Sequence, residues 1–278
     1  KKNFGHIENL SVLDNPKKYP ASALNKVIIE GDGDYLLRLD AHSYYPADYL
    51  EKCIETSLRT NAANVGGIVE TISGSNSYSA MLVQALTTHW FGVGNSGFRI
   101  GAKEGPADTV PFGFFRKSIF QKIGLFDERL IRAQDYELNS RINASDNIVW
   151  LNPEIKISYK NKNSIKDFYV KQFILEAPYN AYMWWISKKT FNFRHSITSF
   201  FTLGFFGGVF LSPNFLVLAN IFYFVMCIYF SLSVFASFQQ SKRYGLKLEF
   251  LLLPLCFFLF HIIHGTGILK GLFFLALG

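Results

Sequence analysis

Along the first 160 residues, short apolar runs alternate with polar turns and with helix-like spacing. Residues 35–39 form an apolar run of strand length that ends abruptly at Asp40. Apolar residues three or four positions apart predict helices over 20–30 and from 46 onward, and a second apolar run predicts a strand over 65–70. Because helices and strands alternate, the pattern predicts an α/β fold built in layers.

Charged residues disappear from long stretches of the C-terminal third. No Asp, Glu, Lys or Arg occurs at 195–241 or at 250–269. Uncharged apolar stretches longer than about 18 residues are candidate membrane spans. The first stretch is long enough for two spans with a break at 212–214, so we predict about three spans over 195–278.

The segment just before the first span is basic and rich in aromatic residues. Its basic residues are Lys156, Lys160, Lys162, Lys166, Lys171, Lys188, Lys189 and Arg194. This composition predicts one helix over 164–186 lying at a membrane interface, with a buried core helix as the alternative. The net charge of +7 is therefore explained better by anionic lipid than by nucleic acid. Positive charge on both sides of the first two spans places the preceding domain in the cytoplasm.

The first candidate for chemistry is Asp40 together with His42, directly after the predicted strand. Ligands of open parallel sheets bind beyond the carboxyl ends of the strands. A carboxylate and an imidazole at that point can both reach a divalent cation that carries phosphate oxygens. The alternative is that Asp40 only stabilises a turn or caps the next helix.

The second candidate is Asp135, near the start of a helix predicted over 133–142. Asp135 and Glu137 would suit the helix dipole in this first turn, or Asp135 would point into a cleft as a general base. The glycine-rich loop at 92–101 carries one cation, Arg99. It lacks the spacing of dinucleotide and P-loop motifs, so a binding element and an irregular connection both remain open.

Three stretches, in this order, carry a resemblance to a known family: RLDAHSYYPADYLEKC, VGNSGFRIG and DTVPFGFFRKSIFQKIGLFDERLIRAQDYELNSRI. Over roughly residues 10–195 the chain resembles glycosyltransferase family 2, especially membrane-associated enzymes of bacterial exopolysaccharide assembly of the succinoglycan type. The resemblance implies a GT-A domain at 1–160, with a mixed, mostly parallel sheet and helices on both faces. An interface helix at 161–194 and a transmembrane region at 195–278 would follow.

The resemblance also implies roles for individual residues. Asp40-Ala41-His42 takes the place of the family's Asp-x-Asp, so Asp40 and His42 would hold Mg²⁺ or Mn²⁺ on the diphosphate of a nucleotide-sugar donor. Asp135 matches the family's general base. The remaining expected site residues are Ala41 and Arg99 on the donor side, and Gln134, Glu137 and Arg141 beside the base or the acceptor.

The implied activity is inverting transfer of a sugar to a polyprenyl-diphosphate-linked glycan at the cytoplasmic face of a bacterial inner membrane. The processive members' Gln-x-x-Arg-Trp motif is absent after Gln172, so chain polymerisation is not expected. The alternatives are a polyprenyl-phosphate glycosyltransferase and a non-catalytic membrane-anchored binding module. The family's opening strand and loop, which hold the nucleotide base, are not found in the sequence. We therefore expect an N-terminal truncation that could leave the chain inactive.

Overall fold

A six-stranded mixed sheet forms the centre of the N-terminal part of the molecule. The computed structural model describes residues 10–247 and 249–277. The strands are β1 (Tyr35–Leu37), β2 (Ser43–Tyr44), β3 (Asn64–Ile72), β4 (Gly105–Pro106), β5 (Phe114–Arg116) and β6 (Val149–Lys160). Their hydrogen-bonded order is β1-β5-β3-β6-β2, and β4 pairs with the start of β6. The predicted mixed α/β fold is therefore confirmed.

The expectation that this sheet is mostly parallel needs a correction. Among the described strands, only β3 and β6 pair in parallel, and β1–β5, β3–β5, β2–β6 and β4–β6 are antiparallel. The short strand β5 runs between β1 and β3 in the opposite direction, so these two never pair directly. Strands β1, β3 and β6 nevertheless point the same way, and their carboxyl ends lie at one edge of the sheet.

Helices cover both faces of the sheet, as expected. The helices of this part are α1 (Pro20–Glu30), α2 (Tyr49–Thr60), α3 (Tyr78–Thr87), α4 (Trp90–Val93), α5 (Gly97–Ile100), α6 (Ser118–Ile123) and α7 (Gln134–Asn143). Helices α1, α6 and α7 pack on one face through Ile28, Phe120 and Leu138. Helix α2 packs on the other face through Cys53, against Ile155 of β6.

Two local predictions differ from the structure for reasons that the backbone explains. The sequence pattern at 109–115 predicts a strand, but the strand begins only at Phe114, because Phe112 and Gly113 have φ values of 62° and 89° and turn the chain. The sequence pattern predicts two closing strands, at 148–151 and 155–159, but the structure has the single strand β6, whose register against β3 shifts opposite Gly66. At this irregularity a Cβ on Gly67 would lie 1.9 Å from the carbonyl oxygen of Ile155, so only glycine fits there.

The helix predicted over 164–186 is interrupted. It consists of α8 (Ile165–Lys171), a π-helical turn (Gln172–Glu176) and α9 (Ala177–Ile186). Pro178 has no amide hydrogen to donate to the carbonyl of Ile174, so the regular α-helical pattern cannot continue through this point. Glu176 is the last residue of the π-helical turn and directly precedes α9.

Three long helices complete the chain: α10 (Phe193–Leu211), α11 (Leu216–Tyr244) and α12 (Glu249–Leu277). By length and hydropathy, α11 and the 250–277 part of α12 are candidate membrane spans among the described residues. Helix α12 is continuous through Gly265 and packs closely on α9 and α10. A Cβ on Gly265 would lie 2.1 Å from the carbonyl oxygen of Thr198. The first of the three expected spans corresponds to α10, which has 19 residues and is not among the helices that pass the test of length and hydropathy.

Candidate active site

One arginine joins the two carboxylates that the sequence singles out. Arg38 donates from Nη1 to both oxygens of Asp135, at 2.6 and 2.8 Å. It also donates from Nε and Nη2 to the two oxygens of Asp40, at 2.9 and 3.2 Å. The Arg38 side chain is 12% exposed, while those of Asp40 and Asp135 are 22% and 33% exposed. The two acids, 95 positions apart in sequence, therefore share one partly open cluster.

The position of Asp40 follows from the way the chain leaves β1. Arg38 still pairs with the sheet, donating its backbone N–H to the carbonyl of Gly113 at 3.1 Å. The chain then turns, and the backbone N–H of Asp40 donates to the Tyr45 hydroxyl at 2.8 Å. The Tyr45 ring packs against Tyr49, with the ring centroids 4.9 Å apart. The loop that carries Asp40 is therefore anchored on the buried side of the sheet.

The position of Asp135 depends on an unusual backbone conformation. Ala133, directly before α7, has a φ of 63°. A residue other than glycine in this left-handed region costs energy, and such positions concentrate at functional sites. The turn at Ala133 starts the helix so that Asp135 in its first turn reaches Arg38. Burial raises the pKa of the Asp135 carboxyl, and the Arg38 guanidinium opposes that rise.

The second predicted metal ligand, His42, is exposed. Its ring lies edge-on to Tyr159 at the end of β6, with the centroids 5.1 Å apart. No group of three or more His, Cys, Asp or Glu side chains gathers within the described ranges. Mg²⁺ is commonly held by one or two carboxylates together with substrate phosphates and water. An aspartate and an imidazole two positions apart therefore fit a cation that a substrate phosphate helps to bind.

The other predicted site residues lie in α5, in α7 and in the turn after Asp40. Arg99 lies in α5 near Tyr159, with its guanidinium 5.2 Å from the Phe98 ring centroid. Glu137 and Arg141 pair with each other at 2.7 and 2.8 Å, and Arg141 also donates to the carbonyls of Ile123 and Leu125. These contacts attach α7 to the end of α6. The last two are Gln134, buried at the start of α7, and Ala41, exposed in the turn after Asp40.

Arg38 is the residue of this cluster that the sequence reasoning missed. It occupies the fourth position of the apolar run at 35–39, where a charge is unfavourable unless it finds partners. That unexplained charge, two residues before Asp40, is the signal that could have identified it. Its distant partner, Asp135, has no local signature in the sequence.

A cavity of about 350 Å³ is lined by residues from α5, β4 and the start of α10. Thr109 lines it and accepts a hydrogen bond from Asn139 of α7 at 2.9 Å. Arg194, at the start of α10, also lines the cavity, and it pairs with Asp108 at 2.6 Å. Polar groups of residues 108–109 and of the start of α10 thus line one open space.

Comparison with known proteins identifies the family to which the chain belongs. The sequence model described as "Glycosyl transferase family 2" matches residues 3–124. A protein of Methanococcus voltae is 30% identical over 278 residues, an alignment that covers 96% of this chain and 79% of that protein. It is called dolichyl N-acetyl-alpha-D-glucosaminyl phosphate 3-beta-D-2,3-diacetamido-2,3-dideoxy-beta-D-glucuronosyltransferase. The chain belongs to glycosyltransferase family 2, and it is a glycosyltransferase.

A second relative is the succinoglycan biosynthesis protein ExoA of Rhizobium meliloti (strain 1021). It is 32% identical over 149 residues, which cover 53% of this chain and 44% of that protein. The alignment thus spans less than half the length of this relative. Among solved structures, S. aureus TarS 1-349 has a TM-score of 0.46 at 13% identity, covering 99% of this chain and 77% of TarS.

Proposed function

We propose that this glycosyltransferase moves a sugar from a nucleotide-diphosphate sugar to a lipid-linked saccharide, with inversion of the anomeric centre. The observation that carries the proposal is the pair of carboxylates, Asp40 and Asp135, held around one guanidinium at the end of β1. One acid lies two residues before an exposed imidazole, which suits a cation on phosphate. The other lies at a helix start with a third of its side-chain surface exposed, which suits proton abstraction from a substrate.

In this proposal Asp135 is the general base. An alcohol has a pKa far above 7, so the acceptor hydroxyl must lose its proton as it attacks the sugar. A positioned base typically contributes ~10²–10⁴-fold to such a step. Burial, which raises the pKa of Asp135, makes the ionised form a stronger base than a fully hydrated aspartate. Arg38 keeps the carboxylate oriented through its paired hydrogen bonds.

Asp40 and His42 form the donor side of the site. Mg²⁺ or Mn²⁺ held there would act as a Lewis acid toward the charge that develops on the leaving diphosphate. His42 is exposed and is free to rotate toward a ligand without giving up a buried contact. Asp40 is fixed by Arg38 and by its backbone hydrogen bond to Tyr45. A rigid carboxylate and an adaptable imidazole would together receive the diphosphate.

The lipid-linked acceptor is inferred from the membrane-facing part of the chain and from the relatives. Helices α11 and α12 are apolar enough to cross a membrane, and the basic segment at 161–194 precedes them. We divide the chain accordingly into a catalytic part at 1–160, an interface segment and a membrane region at 195–278. One relative is named for a dolichyl-linked sugar phosphate and another for succinoglycan biosynthesis. The basic residues favour the cytoplasmic face of the membrane.

The experiment that tests this proposal compares two acceptors with one labelled nucleotide sugar, using the protein in lipid nanodiscs. Transfer to a polyprenyl-diphosphate-linked saccharide, with no product on bare polyprenyl phosphate, is the expected result. Product on bare polyprenyl phosphate alone would indicate a polyprenyl-phosphate glycosyltransferase and would overturn the proposed acceptor. An absence of transfer to either acceptor over a panel of nucleotide sugars would favour a binding module.

A further inference from the structure

Two arginines of the catalytic part, Arg99 and Arg132, donate no hydrogen bond to any group in the described residues. Every other arginine among the described residues donates at least one. Arg132 Nε is fully buried and without a hydrogen-bond partner, and Arg99 is half-buried over the ring of Phe98. A guanidinium offers five N–H donors, and burying them without acceptors is unfavourable. Neither guanidinium therefore donates to a hydrogen-bond acceptor among the described residues.

Two cations, Arg132 and Lys171, lie around one carboxylate, that of Glu176. The Nε atom of Arg132 is 3.5 Å from Glu176 Oε1, an ion pair without a hydrogen bond. The Nζ atom of Lys171 is 2.8 Å from the same oxygen. Glu176 also acts electrostatically on Arg99, as does Tyr159, and burial lowers the pKa of the Arg99 guanidinium. Glu176 is thus paired directly with Arg132 and Lys171 and attracts Arg99 electrostatically, so that the three cations exceed the one carboxylate by two positive charges.

The cluster is accessible and lies between the two halves of the molecule. Arg132, Lys171 and Glu176 each keep about a third of their side-chain surface exposed. Arg132 immediately precedes the turn into α7, which carries the proposed base. Lys171 and Glu176 belong to the interrupted interface helix. Tyr159, which acts electrostatically on Arg99, also contacts His42.

We propose that Arg99, Arg132 and Lys171 form a binding site for a diphosphate group, with Glu176 holding the three cations together when the site is empty. A diphosphate carries at least two negative charges and several acceptor oxygens, which matches the excess charge and the unused donors. Charge-assisted hydrogen bonds from guanidinium to phosphate are among the strongest in proteins.

The proposal rests on the proposed function, which supplies two sources of a diphosphate. One is the nucleotide-sugar donor, and the other is the lipid carrier of the acceptor. The position beside His42 suits the first source, and the position on the interface helix suits the second. The chemistry of recognition is the same for both.

The direct test measures binding of inorganic pyrophosphate by calorimetry to the intact protein in nanodiscs, without added metal. We expect the double variant Arg132→Gln with Lys171→Gln to bind pyrophosphate at least about tenfold more weakly, because two charge-assisted contacts are lost. The matched control is Arg129→Gln with Lys166→Gln, which removes the same charges from exposed neighbouring positions and should change affinity by less than about twofold.

A variant of Glu176 distinguishes a binding role of the cluster from a purely structural one, because only the binding role predicts an increase in the affinity for pyrophosphate. Glu176→Gln removes the competing carboxylate, so pyrophosphate should bind at least about threefold more tightly. If Glu176→Gln instead weakens binding, or the double variant binds like its control, the proposed site is wrong. Thermal unfolding of each variant, followed in parallel, excludes loss of fold as the cause.

Kinetics then identify which diphosphate uses the site. A rise in KM for the nucleotide sugar alone in the double variant assigns the cluster to the donor, and a rise for the lipid-linked saccharide alone assigns it to the acceptor. Unchanged KM values for both would refute the proposal while leaving the transfer activity, and hence the proposed function, intact. Pyrophosphate binding as expected, in a protein that transfers no sugar, would reject the proposed function instead.

Discussion

Replacing Arg38 with methionine should separate the two carboxylates from the group that joins them. Methionine keeps a long apolar side chain at a position that is 12% exposed, so the change removes charge and hydrogen bonds with little loss of volume. Four short contacts between Arg38 and the two acids disappear. The acids are then left close together without a cation between them.

The magnitude follows from the burial of the cluster. Removing one partner of a fully buried ion pair costs about 3–5 kcal/mol. Asp40 and Asp135 keep 22% and 33% of their side-chain surface exposed, and water will hydrate part of the released charge. We therefore expect a loss of about 2–3 kcal/mol in the free energy of unfolding, below the fully buried case. For a chain of this size that corresponds to a fall in Tm of roughly 4–12 °C.

Two further readouts distinguish an organising role in the site from a role in stability alone. At a temperature where the variant is folded, kcat should fall by about 10²-fold, because Asp135 loses its fixed orientation. The affinity for Mn²⁺, measured by electron paramagnetic resonance, should rise, because Asp40 is released from a competing cation. Arg59→Met at an exposed ion pair is the control. A variant that keeps both kcat and Mn²⁺ affinity within twofold of the wild type would refute the role of Arg38.

Three other outcomes follow from the same geometry. Glu137→Gln should lower the free energy of unfolding by about 3 kcal/mol, since it breaks a pair whose acid is 3% exposed, and thermal scanning would check this; an unchanged Tm would contradict it. Ala133→Gly should raise stability by up to about 1 kcal/mol by relieving the left-handed conformation, and a loss in the same scan would argue against strain there. Because its pKa is raised in the folded state, Asp135 binds its proton more tightly there than in the unfolded chain. Its contribution to stability therefore falls as pH rises from the pKa of the unfolded chain to the pKa of the folded protein. Over the same range transfer should increase, because the base ionises. A pH–rate profile in which activity does not fall at acid pH would contradict the assignment.

Much of the fold could be predicted because its signals are local. The helix over 20–30, the strand before Asp40 and the helix carrying Asp135 were all predicted from apolar spacing and turn residues, and the structure has them at 20–30, 35–37 and 134–143. The glycine pair at 66–67 and the turn at 112–113 were not. Their conformations are imposed by the neighbouring strands, which a single sequence does not reveal.

The candidate site was only partly predictable for a related reason. Asp40 and Asp135 each lie at the end of a recognisable element, so each could be proposed separately. That they share Arg38 depends on tertiary structure, because the two hydrogen-bonded partners are 97 positions apart. The π-helical turn before Pro178, which contains Glu176, was likewise not predicted. The aromatic and basic pattern runs continuously through this segment and indicates a single helix.

The central claim is that Asp135 removes the acceptor proton in a site that it shares with Asp40. The most direct measurement is single-turnover transfer of labelled sugar by Asp135→Asn, at saturating nucleotide sugar and lipid-linked saccharide, alongside calorimetric binding of the donor. We predict a fall of about 10²–10⁴-fold in the transfer rate with donor affinity unchanged. Transfer at the wild-type rate by a folded Asp135→Asn protein would contradict the account.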